Sequence, residues 1–389
     1  MEQGTKLSIA VGLFVSAALV AACSGGGSMP NHQAATQFGP EAGNCIGNPN
    51  DAVAVRTAGS MQPLPIGRCS PKPQWDIIVA NPGNNTATSY QFTSNGNATP
   101  VATMSATANK LSGDYGIWFD GDTGDFFISN VTTNTVNRNN IACLNGGGST
   151  GCPDQQLMGS MTGLAAPYAA TENYGLMLPQ GDEPAYTLNK TTPSIVAQLE
   201  NQSGNATPLY TIKGTSTQLN DGQGLAVDGN TSSVSTNAGA IYADSYTGAK
   251  VMMWLPSSQF PTPAPGAVLN IAPKKVISGS NTGITHPMGL YVDTGGYLYV
   301  VNRNPDKILV FSQTATGNAT PSNTITASVS TPYGVAVYTD FTVYVTNDGT
   351  NGVTSYTHGE TGPSTLVHNI TGSLTGLSSP ANLDVRISR

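Results

Sequence analysis

Eight side chains able to bind or react share one kind of place in this chain. Asp114, Tyr115, Asn173, Tyr174, Asp221, Gln223, His286 and Tyr333 each stand within three residues of a glycine that opens a β-rich stretch. Three tyrosines among short amides and carboxylates suit an uncharged polar ligand such as a polysaccharide or a peptide segment. Ring faces bury its CH groups while amides bond its hydroxyls or peptide groups. A second chemistry needs Asp114, Asn173 and Asp221 to converge as an oxygen cage for a divalent cation such as calcium, which would support metal-dependent hydrolysis or a lyase reaction. His286 is the one histidine of four at such a position, and acid–base work would require a partner for it. Glu172 is the one glutamate near these positions.

Other catalytic patterns are missing. The chain has no Gly-x-Ser-x-Gly elbow, His-Glu-x-x-His pair or P-loop. Asp120-Gly121-Asp122-Thr123-Gly124-Asp125 is oxygen-rich like a calcium loop, but it lacks the distal Glu and falls where a hairpin turn is expected. The scarcity of titratable groups favours a binding scaffold that needs no cofactor, for a polysaccharide, a peptide or an envelope protein. The alternative is a lactonase- or lyase-type enzyme carrying a divalent cation.

The elements that position these residues repeat. Six segments run through apolar and aromatic residues to a polar end: 77–81, 126–130, 185–189, 241–245, 298–302 and 343–347, and their ends lie 45 to 59 residues apart. Glycines open a preceding strand at Gly116, Gly175, Gly224, Gly289 and Gly334. Turn chemistry such as Asp120-Gly121 and Thr294-Gly295-Gly296 joins the two strands. Gly-Asn-Ala-Thr-Pro occurs three times, from Gly96, Gly204 and Gly317, about two units apart. A period of this size is that of a four-stranded propeller blade. Residues 380–385 match the strand opened by residues 332–337 but have no successor, while residues 75–81 have no opening strand before them. Pairing the two ends closes a sixth blade.

The pattern Pro287-Met288-Gly289-Leu290-Tyr291-Val292-Asp293, continuing to Asn302, resembles the NHL-type repeat over roughly residues 75–389. That resemblance implies an all-β, six-bladed β-propeller of four-stranded antiparallel blades, a fold shared by scaffolds, receptors, lyases and lactonases. The third blade departs from the pattern at Pro179 and Pro184, and the fourth at an enlarged loop over residues 229–239.

Composition agrees with strands and turns. Only 10% of the 389 residues are charged, Gly numbers 45, and Lys+Arg amounts to 15. A net charge of -7 without a basic cluster argues against nucleic acid as a partner.

Residues 7–22 are an uncharged run of signal-peptide length, and Val20-Ala21-Ala22-Cys23 followed by Ser24 resembles a bacterial lipobox. This implies removal of residues 1–22, lipidation of Cys23, and an exported protein anchored in the bacterial envelope, at the outer membrane or cell surface. Residues 23–44 read as a Gly/Ser-rich tether, 45–74 as an irregular lead-in, and 75–389 as the propeller, expected to be monomeric. For the remaining cysteines, an even count and closeness in sequence favour Cys45 with Cys69 and Cys143 with Cys152 over the other two pairings.

Overall fold

The computed structural model describes residues 76–120, 125–140, 143–144, 152–173, 183–230, 232–357, 359 and 362–385, together with the backbone of two short strands before them. The chain divides into two units, Met1–Lys72 and Pro73–Arg389. In the first, Ala54–Thr57 pairs antiparallel with Ser60–Pro63. Cys23, Cys45, Cys69 and Tyr174 lie outside the described residues. No helix among the described residues is long and apolar enough to cross a membrane.

The second unit is a ring of six blades. From the channel outward, blade 1 consists of Leu383–Val385, Ile77–Asn81, Thr86–Tyr90 and Ala102–Met104. Blade 2 follows with Asp114–Phe119, Phe126–Asn130, Thr135–Asn139 and Gln155–Leu157, and blade 3 with Pro167–Glu172, Pro184–Asn189, Ser194–Leu199 and Tyr210–Lys213. Blade 4 is Leu225–Val227, Ile241–Ser245, Lys250–Trp254 and Lys275–Ser278. Blade 5 is His286–Val292, Leu298–Arg303, Lys307–Phe311 and Asn323–Ile325, and blade 6 is Pro332–Val337, Val343–Asn347, Gly352–Tyr356 and Leu366–Thr371. An excursion from blade 4, Ala267–Leu269, adds a parallel fifth strand to the outer edge of blade 3.

Second strands such as Ile77–Asn81, Ile241–Ser245 and Val343–Asn347 are buried throughout. Each is covered by a neighbouring blade on both faces, which explains why they read as apolar runs rather than alternating ones. Buried aliphatic side chains of this kind contribute about 1.5–3 kcal/mol each.

The ends close the ring as expected, with Leu383, Asp384 and Val385 opposite Val79, Ile78 and Ile77. This strand also ties both neighbours. Asn382 N–H donates to Tyr115 O at 3.1 Å, Phe119 N–H donates to Asp384 Oδ2 at 2.7 Å, and Thr346 Oγ1 donates to Ala381 O from blade 6.

The repeated polar residues lock loops in place. The Asn at or next to the end of a second strand receives the backbone N–H of the loop that feeds the inner strand: Ser112 N–H to Asn130, Ala165 to Asn189, Thr285 to Asn302, Ser330 to Asn347 and Ser378 to Asn81. In blade 4 the partners are exchanged, Ser245 on the strand donating to Asp221 on the loop at 3.4 Å.

The Asn of Gly-Asn-Ala-Thr-Pro stitches blades at the rim, and its partner is a second motif, Gly-Ser-x-Thr-Gly, that follows an outer strand. Asn97 accepts Leu374 N–H, Asn205 accepts Met161 N–H and Asn318 accepts Asn281 N–H, each at 2.7 Å. Asn270, in the degenerate copy Leu269-Asn270-Ile271-Ala272-Pro273, does the same for Ser216.

Sequence reading placed the opening of the third blade's inner strand at Gly175. The structure places that strand at Pro167–Glu172 instead, with Ala169 where four of the other strands carry glycine and the closing strand carries Asn382. Pro184 does not interrupt the hairpin, because it begins the second strand, a position where proline costs no ladder hydrogen bond. The disulfide Cys143–Cys152 is present, spanning the loop between the third and outer strands of blade 2.

Candidate functional site

All inner strands start at one mouth of the channel, which fixes what gathers there. The residue just before the opening-glycine position of each inner strand lies at that mouth: Tyr115, Tyr168, Gln223, Met288, Tyr333 and Ala381 surround a cavity of about 230 Å³. Pro82, Tyr246, Arg303, Asp348 and Ser379 complete its wall.

Three tyrosines form its floor. The Tyr115 ring stacks on Tyr168 with centroids 4.5 Å apart and lies 5.7 Å from Tyr333. The Tyr333 hydroxyl donates to Gln223 Oε1 at 3.2 Å. Cations lie over two of the rings, with Lys190 Nζ 4.2 Å from the Tyr168 ring centre and the Arg303 guanidinium carbon 5.6 Å from that of Tyr333. Arg303 is held by the Pro332 and Thr331 carbonyls at 2.9 and 3.2 Å and faces Asp348 at 3.7 Å.

Burial is the main cause that raises Tyr115, Tyr168 and Tyr333 above the ordinary phenol range, Tyr333 most strongly. These phenols therefore stay protonated at neutral pH. They are hydrogen-bond donors on a rigid aromatic floor, not bases.

Of the candidate residues, Tyr115, Gln223 and Tyr333 line this mouth, and Tyr168, which the sequence reading missed, lies beside them. The signal for Tyr168 was Pro167-Tyr168, which matches Pro332-Tyr333 in register. His286 stands at the rim, its ring 4.9 Å from that of Tyr246. Asn173 follows the last residue of its inner strand, so it belongs to the opposite mouth, about 20 Å away at ~3.3 Å per residue.

Asp114 and Asp221 are loop anchors. Asp114 is fully buried and its Oδ2 accepts Asn81 N–H at 3.1 Å, holding blade 2 to blade 1. Asp221 accepts Thr247 N–H at 3.2 Å within blade 4. Asp114, Asn173 and Asp221 thus occupy three separate places and form no shared cage. The hairpin reading of residues 120–125 agrees with Asp120 N–H donating to Asp125 O at 2.9 Å.

No protein-family model matches the sequence, and no curated protein matches it either. Solved structures do share its fold. A chain of a nidogen/laminin complex aligns with a TM-score of 0.54 at 13% identity, covering 81% of this chain and 99% of that one. A functionally unknown protein from Desulfotomaculum acetoxidans aligns at 0.49 and 13%, covering 77% and 81%, and virginiamycin B lyase from Staphylococcus aureus at 0.44 and 15%, covering 69% and 73%. At these identities the likeness extends to the fold alone: this protein is a six-bladed β-propeller.

Proposed function

We propose that this propeller is a binding scaffold displayed on the bacterial envelope, anchored through lipidated Cys23, whose tyrosine-floored mouth holds one residue of a neutral polysaccharide. The supporting observation is the Tyr115–Tyr168–Tyr333 cluster with the Gln223 amide in a cavity of about 230 Å³. That volume is below the roughly 300–1,000 Å³ of pockets that enclose whole drug-sized ligands, so it suits one unit of a longer chain. Stacked phenol rings present an apolar face to sugar CH groups, and protonated hydroxyls and the amide meet sugar hydroxyls. The separation of Asp114, Asn173 and Asp221 supports the binding reading over a cation cage built from those three residues.

The test is calorimetric titration of neutral envelope oligosaccharides, with uncharged peptides as the comparison. Binding of the sugars by the native protein and its loss in Tyr115→Ala/Tyr168→Ala/Tyr333→Ala, with the melting transition retained, supports the proposal. Binding of peptides alone, or binding unchanged in the triple variant, sinks it.

A further inference from the structure

At the mouth opposite the tyrosines, the inner strand of blade 3 ends on Glu172. In register, the other five inner strands place Phe119, Val227, Val292, Val337 and Val385 there, all packed between blades. A carboxylate has replaced a core aliphatic. Glu172 is 1% exposed, and a charge so buried is costly unless something compensates it. Its Oε2 accepts the Trp118 indole N–H from blade 2 at 3.3 Å, while its Oε1 accepts no hydrogen bond.

Two more carboxylates face the same point. Asp120, 1% exposed, follows the inner strand of blade 2, and half-buried Glu200 follows the third strand of blade 3. One oxygen from each of Asp120, Glu172 and Glu200 lies within 4.8 Å of the others. Glu183 is close by, its carbonyl accepting Glu200 N–H at 3.1 Å. Arg138 is bridged to Asp125 at 2.6 Å. Negative groups this crowded, in a site this dry, repel one another strongly.

We infer that Asp120, Glu172 and Glu200 bind a calcium ion that joins blades 2 and 3 at the lower face of the ring. An all-carboxylate set selects a hard cation. Calcium takes oxygens at about 2.3–2.6 Å, so donors across it stand about 4.6–5.2 Å apart, whereas magnesium at about 2.0–2.1 Å requires a tighter set. The indole hydrogen bond orients Glu172 and leaves Oε1 for the ion, the arrangement by which an outer partner fixes a ligating carboxylate. Glu172 ends an inner strand, and Asp120 and Glu200 each directly follow a strand, which sets where all three begin. It is independent of the tyrosine mouth and of what that mouth binds.

The probe is calcium alone, added to the whole protein stripped with chelator. We expect about one calcium per chain by equilibrium dialysis, and a melting temperature raised by roughly 5 °C at about 100-fold excess over the dissociation constant. Magnesium should act more weakly. Glu172→Val restores the residue common in the sister strands, so it should fold and lose both responses. Glu200→Gln, at a half-buried position, should weaken calcium binding at least tenfold and supplies the test if the first variant does not fold. Absence of bound calcium and of any shift in the native protein overturns the inference, as does an unchanged response in either variant.

Discussion

The Cβ that Gly289 lacks would stand 2.5 Å from the carbonyl oxygen of Tyr333 in the next blade. Other inner strands come close at the same register: a Cβ at Gly334 would lie 2.8 Å from Ala381 O, and one at Gly116 would lie 3.1 Å from the Ala169 backbone. The glycines that open the strands are therefore contact points between blades around the channel.

Gly289→Ala should destabilise the ring by about 3 kcal/mol or more, because backbone must move on both sides of an interface. Gly96→Ala makes the contrast. Nothing lies within 4 Å of its Cβ position, and only its φ of +60° is unfavourable, so the cost should be about 1 kcal/mol. Urea unfolding of the two variants checks the ranking, and equal losses would refute it.

Tyr168→Ala should weaken ligand binding at least tenfold, since it removes the ring on which Tyr115 stacks. Asn173→Ala, at the other mouth, should leave affinity unchanged. Calorimetry with the sugar panel separates them.

Asp114 makes stability depend on pH. Burial outweighs the hydrogen bonds from its own amide and that of Asn81 and pushes its carboxyl up to about 7. Between about pH 4 and 7 the folded protein keeps a proton that the unfolded chain has released. This group's contribution is thus fully present below about pH 4, falls as pH rises towards 7, and is gone above it. Asp114→Asn, which keeps an acceptor for Asn81 N–H, should remove about 2–4 kcal/mol of that slope. Chemical denaturation from pH 4 to 8 gives the comparison.

Asn347 is buried, accepts Ser330 N–H at 2.9 Å and donates to Thr354 Oγ1 at 2.8 Å. Asn347→Ala leaves both partners without it and should cost about 2–4 kcal/mol. Asn347→Asp retains the acceptor for Ser330 and should fall between. Equilibrium unfolding reads both.

Removing residues 380–389 exposes the edge of Ile77–Asn81 and deletes the core side chains Leu383 and Val385. The melting temperature should fall by more than about 10 °C. An unchanged transition would contradict ring closure.

Blade number and closure were legible because each second strand is covered on both faces and so carries a largely apolar signature, closed in five of the six blades by a locking Asn. The closing strand was legible because residues 380–385 copy residues 332–337. Tyr168 was hidden by Ala169, which fits where other strands need glycine, and by the misleading Gly175. The Gly-Ser-x-Thr-Gly motif was hidden because its hydrogen-bond partner lies in a neighbouring blade, as Asn97 and Leu374 show. Glu172 was noticed as the one glutamate near the candidate positions, but its grouping with Asp120 and Glu200 was hidden because those residues are remote from it in sequence.

The seam at Val79 and Leu383 also sets an order of assembly. A ribosome releases the outer three strands of blade 1 first and their innermost strand last, so the first blade begun is the last completed. Throughout synthesis, Ile77–Asn81 presents an unsatisfied edge to its surroundings. A second nascent molecule carries the same three-residue donor strand, and nothing in the local pairing tells self from neighbour. Intramolecular capture wins only through the short reach left once blades 2 to 6 have curled round. The seam is where crowding would turn single rings into strand-exchanged dimers.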